Sequence, residues 1–169
     1  MRRFLFAASL FLLFGSATIF ANGEAERDQR EFGNPAADGR VLIAAEWTPY
    51  KERLVREVVS RLDNGNTFVR IVDHQNGELD GEDPRDYDAV LITNSGARAQ
   101  VRPWVISWLD EWQAHDDNIV VHTTQINEWT PQVRVDSVTS ASSNRNVPQI
   151  AGELVDRARR LLSLNLVSR

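Results

Sequence analysis

The chain has 169 residues, of which 42% are hydrophobic and 25% charged, with no cysteine and a formal net charge of −5. That length and composition predict one globular domain. The missing cysteines exclude disulfides, thiolate metal sites and a cysteine nucleophile. The acidic balance, with no basic patch, argues against nucleic acid as a partner.

Arg2 and Arg3 precede an apolar run from Phe4 to Phe14, broken only by Ser9. Small residues follow at Gly15, Ser16, Ala17 and Ala21. This is the layout of a secretory signal peptide, with cleavage after Ala17 or Ala21. The run is shorter than the ~20 residues that cross a bilayer. Residues 1–21 are therefore expected to be removed, leaving an exported, periplasmic or extracellular chain with no membrane span. Removing them leaves 148 residues and a formal charge of −7. Residues 22–39 are polar and turn-rich and are expected to form a linker or disordered tail. The folded domain is expected over 40–169.

Val41–Ala45 is a short, continuous apolar run, the pattern of a strand buried on both faces. Thr48-Pro49 then starts a helix, with Thr as N-cap and Pro at the first helical position. Leu54, Val55, Val58, Val59 and Leu62 give that helix its apolar face. Thr67–Val72 reads as a second strand, followed by an acidic loop over 76–86. Asp88–Asn94 reads as a third strand. Val101, Trp104, Val105, Trp108, Leu109 and Trp112 recur at helical spacing, which points Trp104 and Trp108 into the core and leaves Trp112 partly exposed. Asn118–Thr124 is a fourth strand and Val133–Ala141 a fifth, of undetermined direction. A last helix carries Ile150, Leu154, Val155, Ala158, Leu161 and Leu162. Buried strands alternating with amphipathic helices predict a mostly parallel sheet between helical layers.

Four stretches carry a resemblance to the flavodoxin-like family over residues 40–163. They are Val41–Ala45, Asp86–Gly96, Ile119–Thr124 and Val135–Ser142. The resemblance implies a three-layer α/β/α sandwich with a mostly parallel five-stranded sheet of order 2-1-3-4-5. It also implies an FMN or related flavin cofactor, electron transfer, and a redox protein partner. Transferred residue by residue, Thr48, Tyr50 and Lys51 would meet the phosphate. Asn94, Ser95 and Gly96 would lie beside the ring, and Trp129 would stack on it. The family's phosphate loop has the form Thr-x-Thr-Gly-x-Thr, whereas this chain has Glu46-Trp-Thr-Pro-Tyr-Lys51. Thr48 is its one hydroxyl of the expected kind, no glycine allows close backbone approach, and Pro49 removes an N–H. Glu46 would repel a phosphate if it pointed inward. Lys51, the sole lysine, sits in a first helical turn, where the helix dipole disfavours a cation.

Other residue sets carry weaker signals. Asp136–Ser142 resembles the acceptor signature of exported domains that take FMN covalently, with Ser142 in the acceptor place, and also fits a Ser-rich helix lead-in. Ser95, His122 and Asp136 supply the residue types of a hydrolase triad, without the Gly-x-Ser-x-Gly elbow. The acidic loop lacks the ordered spacing of a calcium site, and the three histidines lack metal-ligand spacing. The leading expectation is an exported flavodoxin-like domain that binds flavin for electron transfer. The alternative is a flavodoxin-shaped binding or accessory module without cofactor, which the poor phosphate loop favours.

Overall fold

The computed structural model describes residues 30–63, 65–96, 100–125 and 132–168, with side chains to Leu164. The signal-peptide segment 1–21, the first part of the linker and Trp129 lie outside the described residues.

The elements in chain order are β1 (Glu31–Phe32), β2 (Gly39–Ala45), α1 (Pro49–Leu62), β3 (Thr67–Asp73), β4 (Ala89–Ser95), α2 (Pro103–Glu111), β5 (Ile119–Thr124), β6 (Asp136–Ser140) and α3 (Val147–Ser168). They form one six-stranded sheet of order β1-β3-β2-β4-β5-β6. Strands β2 to β6 pair in parallel, while β1 pairs antiparallel with β3. The expected five-stranded, mostly parallel sheet is thus corrected to a six-stranded mixed one, within which the five strands β2 to β6 are all parallel and keep the expected order 2-1-3-4-5. The fifth strand, of open direction in the sequence, is parallel to its neighbour.

The added strand comes from the expected tail, which is a second correction. Arg30 accepts from Ile71 N through its carbonyl at 2.7 Å. Arg70 bridges Glu31 of β1 and Glu82 at 2.9 and 2.8 Å. Gly33 follows at φ +81°, and a Cβ there would lie 2.1 Å from the Thr67 carbonyl oxygen. Glycine is required by both conformation and contact. A polar segment thus gains its order from backbone pairing, ion pairs and the single ring of Phe32 packed on the core, which a hydropathy pattern does not register.

Alternation along each strand assigns its side chains to two cores. Val41, Ile43, Val69, Ile71 and Leu91 face α1 and α3, whose Leu54, Val58, Ile150 and Leu154 pack onto them. Leu42, Ala44, Val72, Val90 and Ile92 face α2 and the segment before β4, which contribute Val105, Trp108, Leu109 and Leu79. The sheet is therefore the middle of three layers. Each fully buried Leu, Ile or Val contributes roughly 1.5–3 kcal/mol, so the two-sided strands are the main source of stability.

The connection from β3 to β4 holds three single-turn 3-10 helices, at His74–Asn76, Glu78–Gly81 and Pro84–Asp86. Leu79 and Tyr87 from it cover the sheet in place of a longer helix. Three of its carboxylates are matched by arginines: Glu78 by Arg30, Glu82 by Arg70 and Asp83 by Arg85. Among the described residues no cluster of His, Asp or Glu has the geometry to hold a metal ion. No helix of the described residues is long and apolar enough to cross a membrane.

Candidate functional site

Parallel strands bring their carboxyl ends to one edge, and open α/β sheets bind ligands there. In this chain that edge is polar although buried. Asp73, Thr93, Asn94, His122, Thr123 and Thr124 all lie at strand ends and all are buried, as is Glu46 just beyond β2. Glu46 N–H donates to Thr93 O at 3.4 Å and ties the end of β2 to β4. Helix α1 begins at the same edge, and the Thr48 hydroxyl accepts from Lys51 N at 3.3 Å as its N-cap.

Lys51 turns inward from α1. Its Nζ lies 2.7 Å from Glu46 Oε1, and both side chains are 1% exposed. The same ammonium donates to Ser95 Oγ at 2.7 Å and to Thr124 Oγ1 at 3.1 Å. Ser95 and Thr124 take two of its protons, and the Glu46 carboxylate lies at ion-pair distance. On the other side of the carboxylate, Arg102 Nε is 3.3 Å from Glu46 Oε2. Burial pushes the Glu46 carboxyl up, yet the contacts with Lys51, Ser95 and Arg102 outweigh it and hold the group below its ordinary value. Burial pulls the Lys51 ammonium down, and Glu46 opposes that pull. Each partner offsets part of the desolvation penalty that would otherwise neutralise the other.

A second network lies beside the pair. His122 Nδ1 is 2.9 Å from Thr93 Oγ1, and its Nε2 is 2.9 Å from Ser140 Oγ. Ser140 Oγ is in turn 3.2 Å from Tyr50 OH. Across β4, Trp104 Nε1–H donates to His74 Nδ1 at 3.0 Å. An indole nitrogen only donates, so Nδ1 of His74 accepts, and the ring's proton sits on Nε2, 3.0 Å from Thr93 O. Burial pushes the His74 imidazole down. Burial, with a further contribution from Lys51, pushes His122 down to about 3. Two histidines held below their ordinary values and a Glu–Lys ion pair thus share one buried edge.

The His122 shift sets a pH dependence. In the unfolded chain the imidazole titrates near 6.5; in the folded protein it titrates near 3. As pH falls the unfolded state takes the proton first. The stability associated with neutral His122 is therefore complete above pH 6.5 and is lost between pH 6.5 and about 3, at up to roughly 1.4 kcal/mol per pH unit for one proton. Urea midpoints measured across that window are expected to fall more shallowly in His122→Gln than in the unaltered protein. Equal slopes would contradict this assignment.

The structure brings the described members of the flavin set to one edge, but most are engaged within the protein. Tyr50 and Lys51 are buried and bonded as above. The Asn94 amide is buried and donates to His122 O and Thr123 Oγ1, both at 3.1 Å, while its carbonyl accepts from Arg102 N at 3.3 Å. Thr48 is half-buried and serves its own helix. Ser95 and Gly96 are half-buried; Gly96 N–H donates to Thr124 O at 2.8 Å. A Cβ on Gly96 would stand 3.2 Å from that carbonyl oxygen, so its close approach is to the neighbouring strand. These residues do not fit an FMN phosphate: the one lysine is already matched by a carboxylate, and Pro49 lacks an N–H.

The hydrolase triad does not assemble. The ring nitrogens of His122 meet Thr93 and Ser140 rather than Ser95 or Asp136, and Asp136 pairs with Arg157 near the surface. Ser142 is exposed just after β6. Trp47 packs against the α1–α3 core and lies under the Arg30 guanidinium, 5.8 Å from the ring centroid. Trp104 is corrected from core to surface: it is 39% exposed and lies under Arg102 at 5.6 Å. Sequence reasoning missed Arg102, His74 and Ser140 as members of the edge. It noted Glu46 and Lys51 separately as misfits, one against a phosphate and one against the helix dipole. The available signal was that two misfits of opposite charge stand five positions apart across a strand-to-helix turn.

No protein-family model matches this chain, and no curated protein matches it. Solved structures do. A metal-soaked Flv1 flavodiiron core from Synechocystis sp. PCC6803 is 10% identical over 75% of this chain and 36% of its own, with a TM-score of 0.53. A flavodoxin from the domain Archaea is 10% identical over 72% of this chain and 98% of its own, with a TM-score of 0.47. Rubredoxin:oxygen oxidoreductase from the anaerobe Desulfovibrio gigas is 13% identical over 72% of this chain and 35% of its own, with a TM-score of 0.45. This chain thus spans about a third of the flavodiiron core (36%). At such identities the likeness shows the fold, a flavodoxin-like three-layer sandwich.

Proposed function

We propose that this chain is an exported, flavodoxin-shaped binding or accessory module that works without FMN. The observation that carries the reading is the buried Glu46–Lys51 ion pair at the head of α1. A phosphate brought within about 4 Å of the Glu46 carboxylate would meet roughly 4 kcal/mol of repulsion per unit charge at an effective dielectric constant near 20. That is as large as the whole free energy of a complex with a Kd of about 1 mM. Lys51 cannot answer the phosphate without abandoning Glu46, and abandoning it would leave a buried, unpaired carboxylate. Fold likeness to flavin-containing proteins says nothing against this, because one fold hosts many sites.

Export rests on the Arg2–Ala21 pattern. A binding role, as opposed to a catalytic one, is supported by the same edge. Lys51 is held in its ion pair with Glu46 and donates to Ser95 and Thr124, and His122 is too weak a base at about 3 to take a proton near neutral pH. The test is equilibrium dialysis of the mature protein against FMN at concentrations up to about 1 mM. No flavin should be retained. A retained, spectrally shifted flavin would restore the electron-transfer reading.

A further inference from the structure

Glu46 fills its position as a ligand fills a site. Its two carboxylate oxygens bridge two cations, Oε1 to Lys51 Nζ at 2.7 Å and Oε2 to Arg102 Nε at 3.3 Å. The groups around it come from separate parts of the chain: Lys51 from α1, Arg102 from the lead-in to α2, and Ser95 from the end of β4. Ser95 is hydrogen-bonded to the ammonium and helps hold the carboxylate ionised. Thr124, at the end of β5, fixes the ammonium from behind. Two cations against one carboxylate leave this cluster with a net positive charge inside a chain whose overall charge is −5. A buried ammonium and a partly exposed guanidinium converging at the carboxyl edge of a parallel sheet are the elements of an oxyanion site.

We infer that Lys51, Arg102 and Ser95 form a small-carboxylate site which Glu46 occupies as an internal ligand, and which binds a free carboxylate such as acetate when that side chain is truncated. The inference deepens the cofactor-free reading, since the same carboxylate that turns phosphate away is here the site's occupant. A tethered ligand faces its site at a high effective concentration, so a dissolved carboxylate does not displace it from the unaltered protein. Removal of the tether changes that. Glu46→Ala deletes one methylene and the carboxylate, which is the atom set of acetate. The buried Lys51 ammonium then lacks its counter-ion, a state that strongly favours uptake of an anion or loss of the proton.

The experiment measures thermal unfolding of Glu46→Ala against sodium acetate, with sodium chloride at equal ionic strength as the control. A ligand that binds the folded state alone raises the midpoint in a saturable way. Glu46→Ala is expected to show such a rise of several degrees with acetate and not with chloride. The unaltered protein and the isosteric Glu46→Gln should show none, and Glu46→Ala/Lys51→Met should lose the response. Should Glu46→Ala be unfolded in chloride, acetate is expected to restore folding, read by near-ultraviolet circular dichroism. An acetate response no larger than that of the unaltered protein would overturn the inference. So would a response that survives loss of Lys51, or a chain that stays unfolded in acetate. FMN retention by the unaltered protein would count against the cofactor-free reading alone, so the two failures are distinguishable.

Discussion

Lys51→Met is expected to cost about 3–5 kcal/mol of folding stability, the usual penalty for stranding one partner of a buried ion pair. Met replaces the stem of the side chain at similar length, so lost packing is a small part of the effect. What is lost is the counter-charge for Glu46, whose side chain is 1% exposed and would keep only Arg102 at 3.3 Å. Ser95 and Thr124 lose a shared donor as well. The double variant Glu46→Gln/Lys51→Met should recover more than half of the loss, because a neutral amide no longer needs a cation and can still accept from Arg102. Urea unfolding of the two variants and the parent checks this. A loss under about 1 kcal/mol in Lys51→Met would match an exposed pair and would contradict burial of the charge.

Trp108→Ala is expected to cost about 3–5 kcal/mol, as large aromatic truncations in a packed core do. Trp108 is 2% exposed and packs with Val105, Leu109, Val90 and Ile92 between α2 and the sheet. Its indole N–H also donates to Glu82 O at 3.4 Å. Trp104→Ala, one turn earlier on the same helix, should cost less than half as much. Trp104 is 39% exposed, and its main polar contact is the hydrogen bond to His74. Denaturant midpoints of the two variants make the comparison, and equal losses would contradict the placement of Trp104 at the surface.

The tryptophan stripe shows both what the sequence made legible and what it did not. Helical periodicity correctly placed Trp108, Val105 and Leu109 against the sheet. It could not place Trp104, because α2 begins at Pro103 and its first turn lies at the carboxyl edge, beyond the sheet's cover. The apolar runs at 41–45 and 89–92 made the two-faced central strands legible, since burial on both faces leaves no other composition. Strand β1 was illegible for the opposite reason: Glu31 and Phe32 are held by backbone bonds and the Arg70 bridge, and neither has a periodic signature.

The candidate site was half legible. Topology put Thr48, Ser95 and the start of α1 at one edge, which follows from parallel strands alone. The role of Lys51 was not visible, because a lysine in a first helical turn is ordinarily solvated. Only the folded chain pairs it with Glu46, and that pairing turns two local misfits into one buried contact. His122 reads as a strand residue in sequence, and its hydrogen bonds to Thr93 and Ser140 depend on the register of three strands.

Because Lys51 is the one lysine in the chain, lysine labelled with nitrogen-15 at Nζ gives a single side-chain resonance that reports directly on the buried pair. The predicted result at neutral pH is one slowly exchanging ammonium signal, lost from Lys51→Met, shifted in Glu46→Gln and unmoved by FMN added to about 1 mM. A signal broadened by rapid exchange with water, or one that moves as FMN is added, would contradict a phosphate place closed by Glu46.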